Sequence, residues 1–239
     1  MDKKISLVIP AYNEAAIIED TISAALQYLD CNFMDYELII ADDGSTDDTK
    51  NLVLKTKNPR LRCTSYPKNK GKGCAVREGV LASEGDIIVY TDADLAYGLE
   101  VVGSFVDKLV SDGAALAIGS RKLHPKGYAD YPPIRLLASR SFSFVTGLFA
   151  GFQYDTQCGI KAFCASAAKE VFSRTKTDGF AFDFEVMMIS KKLGLKIQQL
   201  PVMIVNHRES KVRVIRDSIK MFGDVIRIRR CVNKRMRGE

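Results

Sequence analysis

Two carboxylates one residue apart, Asp92 and Asp94, close the apolar stretch "DIIVYTDAD". In water they repel, and buried without a partner they are costly. A divalent cation between them resolves both problems. Mg²⁺ and Mn²⁺ prefer such oxygen ligands and commonly take the rest from water and a substrate's phosphates. The alternative is two solvated acids in a loop, and a bare D-x-D does not choose between the two. Other apolar stretches end in the same way: "ISLVIPA" runs into Pro10 to Glu14, "YELIIADDGS" into Asp42 and Asp43, and "AALAIGSR" into Gly119-Ser120-Arg121. Beside these clusters the functional reading of the pair is the better one. The segment "NKGKGCAVREG" fits neither G-x-x-x-x-G-K-[ST] nor G-x-G-x-x-G, since Val76 stands at the third glycine position. It reads as a basic loop around Lys72 that opens a helix, whose free N–H groups could attract an anion, or as a glycine turn with a solvated lysine.

Strands and helices must carry these clusters to one place. "NEAAIIEDTISAALQYL" has apolar residues near 3.6 spacing and Asn13 as an N-cap, which predicts a helix. "STDDTKNLVLKTK", "GCAVREGVLAS" and "LEVVGSFVDKLVSDG" predict three more, with "LRCTSYP" a short strand between the first two. Strands apolar on both faces, alternating with helices, predict an α/β fold: a mostly parallel sheet flanked by helices. In such sheets ligands bind beyond the carboxyl ends of the strands, where all these clusters fall. The second half is less regular. "PIRLLASRSFSFVTGLFAGF" predicts a long helix, "DTQCGIKAF" a loop leading into a strand or turn, "CASAAKEVFSRT" and "FDFEVMMISKKLG" helices, and "KIQQLPVMIVN" a strand. Asp183 and Glu185 read either as a solvated helix face, with Phe182 and Phe184 as core, or as the lining of an acceptor site.

The 239 residues, 46% apolar with 12 Phe and 9 Tyr, suffice for one large core or a domain with a small appendage. No stretch approaches the roughly 18 apolar residues of a membrane span, and the N-terminus does not read as a signal peptide. Six cysteines without C-x-x-C spacing predict reduced thiols of a cytoplasmic protein. The net charge of +6 belongs to the tail: residues 208–239 hold 11 Lys and Arg against 4 Asp and Glu, leaving the rest near neutral. There Val212, Ile215, Ile219, Phe222 and Ile226 form an apolar stripe, with Arg213, Arg216, Lys220, Arg227, Arg230 and Lys234 alongside. Such a helix lies in an anionic membrane interface, or packs on its own domain with a solvated basic face. The expected organisation is a catalytic domain over 1–211 and a basic amphipathic tail over 212–239. No nucleic-acid partner is expected.

"VIPAYNE", "ADDGSTDDT", "NKGKGCAVREG", "TDADL", "GSR" and "DTQCGIKAF" occur in the order found in family 2 glycosyltransferases of the GT-A fold, which the chain resembles over nearly its whole length. With "FAFDFE" and "ESKV…RDSIKMFGDVIRIR", it is most similar to the dolichyl- or polyprenyl-phosphate hexosyltransferases, the glucosyltransferase branch ahead of the mannose synthases. The resemblance implies that Pro10, Tyr12 and Glu14, with Asp42 or Asp43, hold the nucleotide base and ribose. It places Asp92 and Asp94 on Mg²⁺ or Mn²⁺ and the metal on the donor diphosphate, with Lys72 in the nucleotide-sugar site. Arg121 would meet a phosphate, Gln157 and Lys161 would lie near the reacting groups, and Lys211 near the acceptor phosphate. Ala96 departs from the Gln that related mannose synthases often carry, so water could replace a third protein ligand.

The implied reaction is inverting transfer of a hexose from a nucleoside diphosphate sugar to polyprenyl phosphate, peripherally at the cytoplasmic face of a membrane. It leans toward UDP-glucose and leaves GDP-mannose open. A phosphate nucleophile is already ionised near neutral pH, which fits a chain whose only histidines are His124 and His207. A saccharide hydroxyl acceptor would need a carboxylate base, for which Asp183 or Glu185 stand as candidates. A different class is a catalytically idle nucleotide-sugar-binding subunit of a membrane complex, at which Ala96 alone hints.

Overall fold

The computed structural model describes residues 3–129, 147, 154–206 and 214–237, the side chains of the last stretch over 223–236. Side chains along β1 (Ile5–Ala11) alternate between two faces. Ile5, Leu7 and Ile9 enter one apolar cluster and Val8 another, so both faces of the sheet need cover. Helices α1 (Ile18–Asn32) and α4 (Glu100–Asp112) cover the first through Ile18, Ile22, Leu29, Val102, Phe105 and Leu109. The second is covered by α3 (Lys72–Ala82), α5 (Ala165–Arg174), α6 (Phe182–Lys192) and α7 (Val214–Arg237). A short α2 (Thr49–Lys55) adds Val53 to the first cluster.

The remaining strands are β2 (Tyr36–Asp42), β3 (Leu61–Ser65), β4 (Ile87–Tyr90), β5 (Leu116–Ser120), β6 (Lys161–Cys164) and β7 (Ile197–Pro201). They form one seven-stranded sheet in the order β3-β2-β1-β4-β6-β5-β7. All run parallel except β6, which is antiparallel to both neighbours. Two features of this order place the site. The chain winds outward from β1 to β3, then returns through α3 to set β4 on the other side of β1, so the β1/β4 boundary is a topological switch point. The reversed β6 begins where β4 ends, with Lys161 opposite Tyr90, and so delivers residues 155–160 beside Asp92 and Asp94.

The α3 crossover is anchored at its far end by Lys169 of α5. Its ammonium donates to the carbonyl oxygens of Val80 at 2.9 Å, Leu81 at 2.6 Å and Ser83 at 2.7 Å. These carbonyls lie at and just past the helix end, where the Val80 oxygen also accepts the Ser83 N–H at 3.3 Å. Lys169→Met should lower stability by about 1–2 kcal/mol, read as a lower urea midpoint at an unchanged slope.

Several expectations need correction. Asn13 is not an N-cap: α1 starts at Ile18, and Asn13 takes a left-handed φ of 52° in the preceding loop. The "DIIVYTDAD" strand stops at Tyr90, and "KIQQLPVMIVN" is extended only over Ile197–Pro201. Beyond it, the Val205 N–H donates to the Ala96 carbonyl at 2.8 Å, tying that segment to the loop of Asp94. The helix predicted over 133–152 lies, apart from Gly147, outside the described residues. In the tail, Val225, Ile228 and Val232 of α7 are buried in the second cluster, so this face packs on the domain, one of the two readings of the tail helix. Of the predicted apolar stripe, Ile226 is exposed on another face. Among the described residues no helix is long and apolar enough to cross a membrane. All six cysteines are free thiols.

Candidate active site

At the β4 exit, Asp92 and Asp94 leave the sheet in a turn held by the Leu95 N–H on the Asp92 carbonyl at 3.0 Å. The Asp92 carboxylate lies against Gly159, where any Cβ would overlap its Oδ2. A side chain at 159 would displace the Asp92 carboxylate, and the reversed β6 is what brings the two together. The other oxygen, Oδ1, forms an ion pair with Lys72 Nζ. Asp94 accepts the Ala96 N–H at 3.1 Å. Burial, then the charge of Asp92, push the Asp94 carboxyl above the usual range, Glu14 adding to the rise against the pull of Lys72. Burial alone would lower the Lys72 pKa, but Asp92, Asp183 and Asp94 together hold it above the ordinary lysine value.

The residues fit a divalent cation. The donors are hard carboxylate oxygens, and burial with the charges of Asp92 and Glu14 disfavours the ionised form of Asp94. The Lys72 ammonium stands at Asp92 where a metal's charge would stand. Among the described residues no group of three or more ligating side chains forms, so two carboxylates would leave coordination positions to phosphates and water. Ala96 adds no ligand.

The start of α3 is fixed from two sides. Asp43 accepts Tyr66 Oη at 2.5 Å, Asn69 Nδ2 at 2.8 Å, and the N–H groups of Lys70 at 2.9 Å and Gly71 at 2.9–3.0 Å. Gly71, at φ 115°, has no room for a Cβ beside the Asp178 carbonyl. That carbonyl accepts the Gly73 N–H at 2.7 Å and the Cys74 N–H at 3.3 Å. The Gly73 and Cys74 amides of α3 are thus engaged by the protein, and the Asp43 carboxylate, named with Asp42 as a ribose holder, anchors the loop before the helix. Asp42 is also buried, accepting from the Ser45 N–H at 3.1 Å and the Ser65 hydroxyl at 2.8 Å. Tyr12 is 40% exposed at the β1 exit, with Pro10 and Glu14 half-buried beside it.

Arg121 was expected to meet a phosphate. It is buried, and its guanidinium clasps Asp155 through Nε at 2.8 Å and Nη2 at 2.6 Å. Burial opposes ionisation of Asp155, but the bonds and charge of Arg121 prevail and hold its carboxyl below the usual range. The pair fixes the start of the 155–160 loop. Lys161 is wholly buried: its ammonium donates to Asp183 Oδ1 at 2.5 Å and to the carbonyls of Thr156 at 3.1 Å and Cys158 at 2.8 Å. It gathers the loop rather than reaching a substrate. Asp183 also accepts the Tyr90 hydroxyl at 2.8 Å. Among the described residues, the amide Nε2 of Gln157 and the hydroxyl of Thr91 are buried without a hydrogen-bond partner. Orphaned donors cost about 1–3 kcal/mol each, and these two, one next to Asp92 in sequence and one in the loop that brings Gly159 to it, suit a site that a polar ligand completes.

Glu185 does not join this cluster. Its carboxylate accepts the N–H groups of Lys176 at 3.0 Å and Thr177 at 2.6 Å and pairs with Arg235 of α7, a structural role. Burial raises the Cys158 thiol to about 11, so it packs rather than reacts. Lys211 lies outside the described residues. Sequence reasoning missed Asp155, Tyr90 and Gly159. For Asp155 the signal was an acid and an Arg each next to apolar strands and each in need of a partner.

An open α/β sheet with this order, and a carboxylate pair beside a lysine at its switch point, has the GT-A architecture of nucleotide-sugar transferases. Residues 6–173 match the model for Glycosyl transferase family 2, and the chain belongs to that family. It is 34% identical over 239 residues to dolichyl-phosphate beta-glucosyltransferase ALG5A of Trichomonas vaginalis, covering 94% of this chain and 72% of that one. It is 31% identical over 245 residues to the human dolichyl-phosphate beta-glucosyltransferase, at 95% and 75% coverage. Glycosyltransferase AglD of Haloferax volcanii is 30% identical over 94% of the chain, which spans only 36% of AglD's length. Among solved structures, glucosyl-3-phosphoglycerate synthase of Mycobacterium tuberculosis, in complex with Mn²⁺, UDP and glucosyl-3-phosphoglycerate, superposes with a TM-score of 0.70. It shares 24% identity over 95% of this chain and 78% of that one, a likeness of fold.

Proposed function

We propose that this protein transfers a hexose, glucose ahead of mannose, from a nucleoside diphosphate sugar to a polyprenyl phosphate. The observation that carries the reading is the Asp92–Asp94 pair at the switch point with Lys72 against it, a cradle for a diphosphate. The names of the relatives supply the acceptor and the preference for glucose. Asp92 and Asp94 would hold Mg²⁺ or Mn²⁺, which supplies Lewis-acid neutralisation of the departing diphosphate. Lys72 adds a cation to the same leaving group. A phosphate oxygen of the acceptor bonds to the anomeric carbon as the bond from that carbon to the donor's diphosphate oxygen breaks, with inversion. That oxygen is ionised at neutral pH and needs no base.

A saccharide hydroxyl would need one, and both candidates are committed elsewhere. Asp183 accepts from Lys161 and Tyr90, and Glu185 from Lys176, Thr177 and Arg235. This supports the phosphate acceptor. The exposed face of α7, where Ile226 sits among Arg227, Arg230 and Lys234, supports peripheral contact with an anionic membrane, at its cytoplasmic face.

Incubation with Mn²⁺, dolichyl phosphate or a saccharide, and labelled UDP-glucose or GDP-mannose tests the reading. Label from UDP-glucose should pass into the lipid fraction. Label in saccharide would favour a hydroxyl acceptor, and binding of donor without transfer to either would mark an idle subunit.

A further inference from the structure

Asp92 meets the Lys72 ammonium through Oδ1, while Oδ2 lies toward Gly159, which carries no side chain there. A divalent ion that binds at Oδ1 competes with Lys72 for that atom. The backbone of Lys72 cannot withdraw, because Asp43 holds the amides of Lys70 and Gly71 while the Asp178 carbonyl holds that of Gly73. Only the four-carbon stem can move. A lysine suits this, being a compact charge on a flexible arm. Its side chain keeps 20% of its exposure, enough to swing toward solvent or a ligand.

We infer that Lys72 is the resident counter-ion of the metal site, displaced from Asp92 by the divalent cation and thereby freed to meet the donor's diphosphate. The inference rests on the metal-dependent reading above. It makes metal and nucleotide bind cooperatively: the metal alone must evict Lys72, whereas with a diphosphate present the evicted ammonium gains a new partner. Linkage then requires each ligand to strengthen the other.

The test needs no turnover. Free Mn²⁺ is followed by electron paramagnetic resonance as full-length protein is titrated in, with and without UDP. Without UDP, Lys72→Met should bind Mn²⁺ about tenfold more tightly than wild type, since the competing cation is gone. At saturating Mn²⁺ it should bind UDP about tenfold more weakly, having lost a charge-assisted contact. Lys72→Arg, which keeps a competitor, should not gain Mn²⁺ affinity. Lys70→Met removes a neighbouring charge that stacks on the Tyr66 ring and should change Mn²⁺ affinity less than about twofold. Lys72→Gln serves if the Met variant folds poorly. Equal or weaker Mn²⁺ binding by both Lys72→Met and Lys72→Gln overturns the inference while leaving the metal site intact. A gain as large in Lys70→Met also overturns it, reducing the effect to net charge. Wild type that binds no Mn²⁺ even with UDP overturns the metal site itself.

Discussion

Asp94→Ala protein should turn over about 10²–10⁴-fold more slowly than wild type and lose the Mn²⁺-dependent rise in melting temperature that UDP produces. Asp94 is the carboxylate whose surroundings least satisfy its charge. It accepts the Ala96 N–H, while burial, Asp92 and Glu14 all disfavour its ionised form. A divalent ion held by Asp94 and Asp92 would reverse that balance, and its loss would remove several kcal/mol of charge stabilisation at the leaving group. The same environment predicts an effect of opposite sign on the ligand-free fold. Because the folded-state pKa of Asp94 is raised above its unfolded value, its ionisation subtracts from stability at neutral pH, and the penalty vanishes below about pH 4, where both states are protonated. Asp94→Asn should therefore melt at or above the wild-type temperature at pH 7 without ligand, yet be as inactive as the Ala variant. An Asp94→Ala protein that still shows the full Mn²⁺-dependent shift with UDP would sink the metal assignment.

The strand ends were legible in the sequence because a buried parallel strand is mostly apolar until it leaves the sheet, so each acidic cluster after an apolar stretch marks the same edge. Pairing across that edge was not legible. Lys72 and Asp92 belong to a helix start and a strand exit that meet only through the α3 crossover. Arg121 and Asp155 meet because β6 is reversed, a direction that its four residues "KAFC" do not encode. Asn13 shows a local rule overruled by tertiary contacts: its side chain accepts the Thr46 N–H at 2.8 Å and so joins the loops after β1 and β2. Glu185 shows a correct helix with an incorrect environment. α6 is buried from Phe182 to Ser190, so Asp183 and Glu185 face protein partners instead of water. A polar face read from periodicity says which side chains need satisfying, and only packing says by what.

Lys161→Met should lower stability by about 3–5 kcal/mol, a drop in melting temperature of roughly 10 °C for a domain of this size. The cost is not the value of one ion pair. Removing the ammonium leaves the buried Asp183 charge with the Tyr90 hydroxyl as its recorded donor, and strips the carbonyls of Thr156 and Cys158 of theirs. Asp183→Asn should cost a comparable amount by leaving a buried ammonium without its anion. The double variant Lys161→Met/Asp183→Leu removes both charges at once and should recover most of the loss, because a buried pair replaced as a unit by apolar groups is often neutral. Activity should not follow. Lys161 also draws together the two carbonyls on either side of Gln157, in the loop that seats Gly159 against Asp92. A double variant restored in stability but not in turnover would separate the fold's need for neutral charge from the site's need for a fixed loop. Full recovery of both would reduce Lys161 and Asp183 to core residues, and a Lys161→Met protein melting with the wild type would refute the buried pair itself.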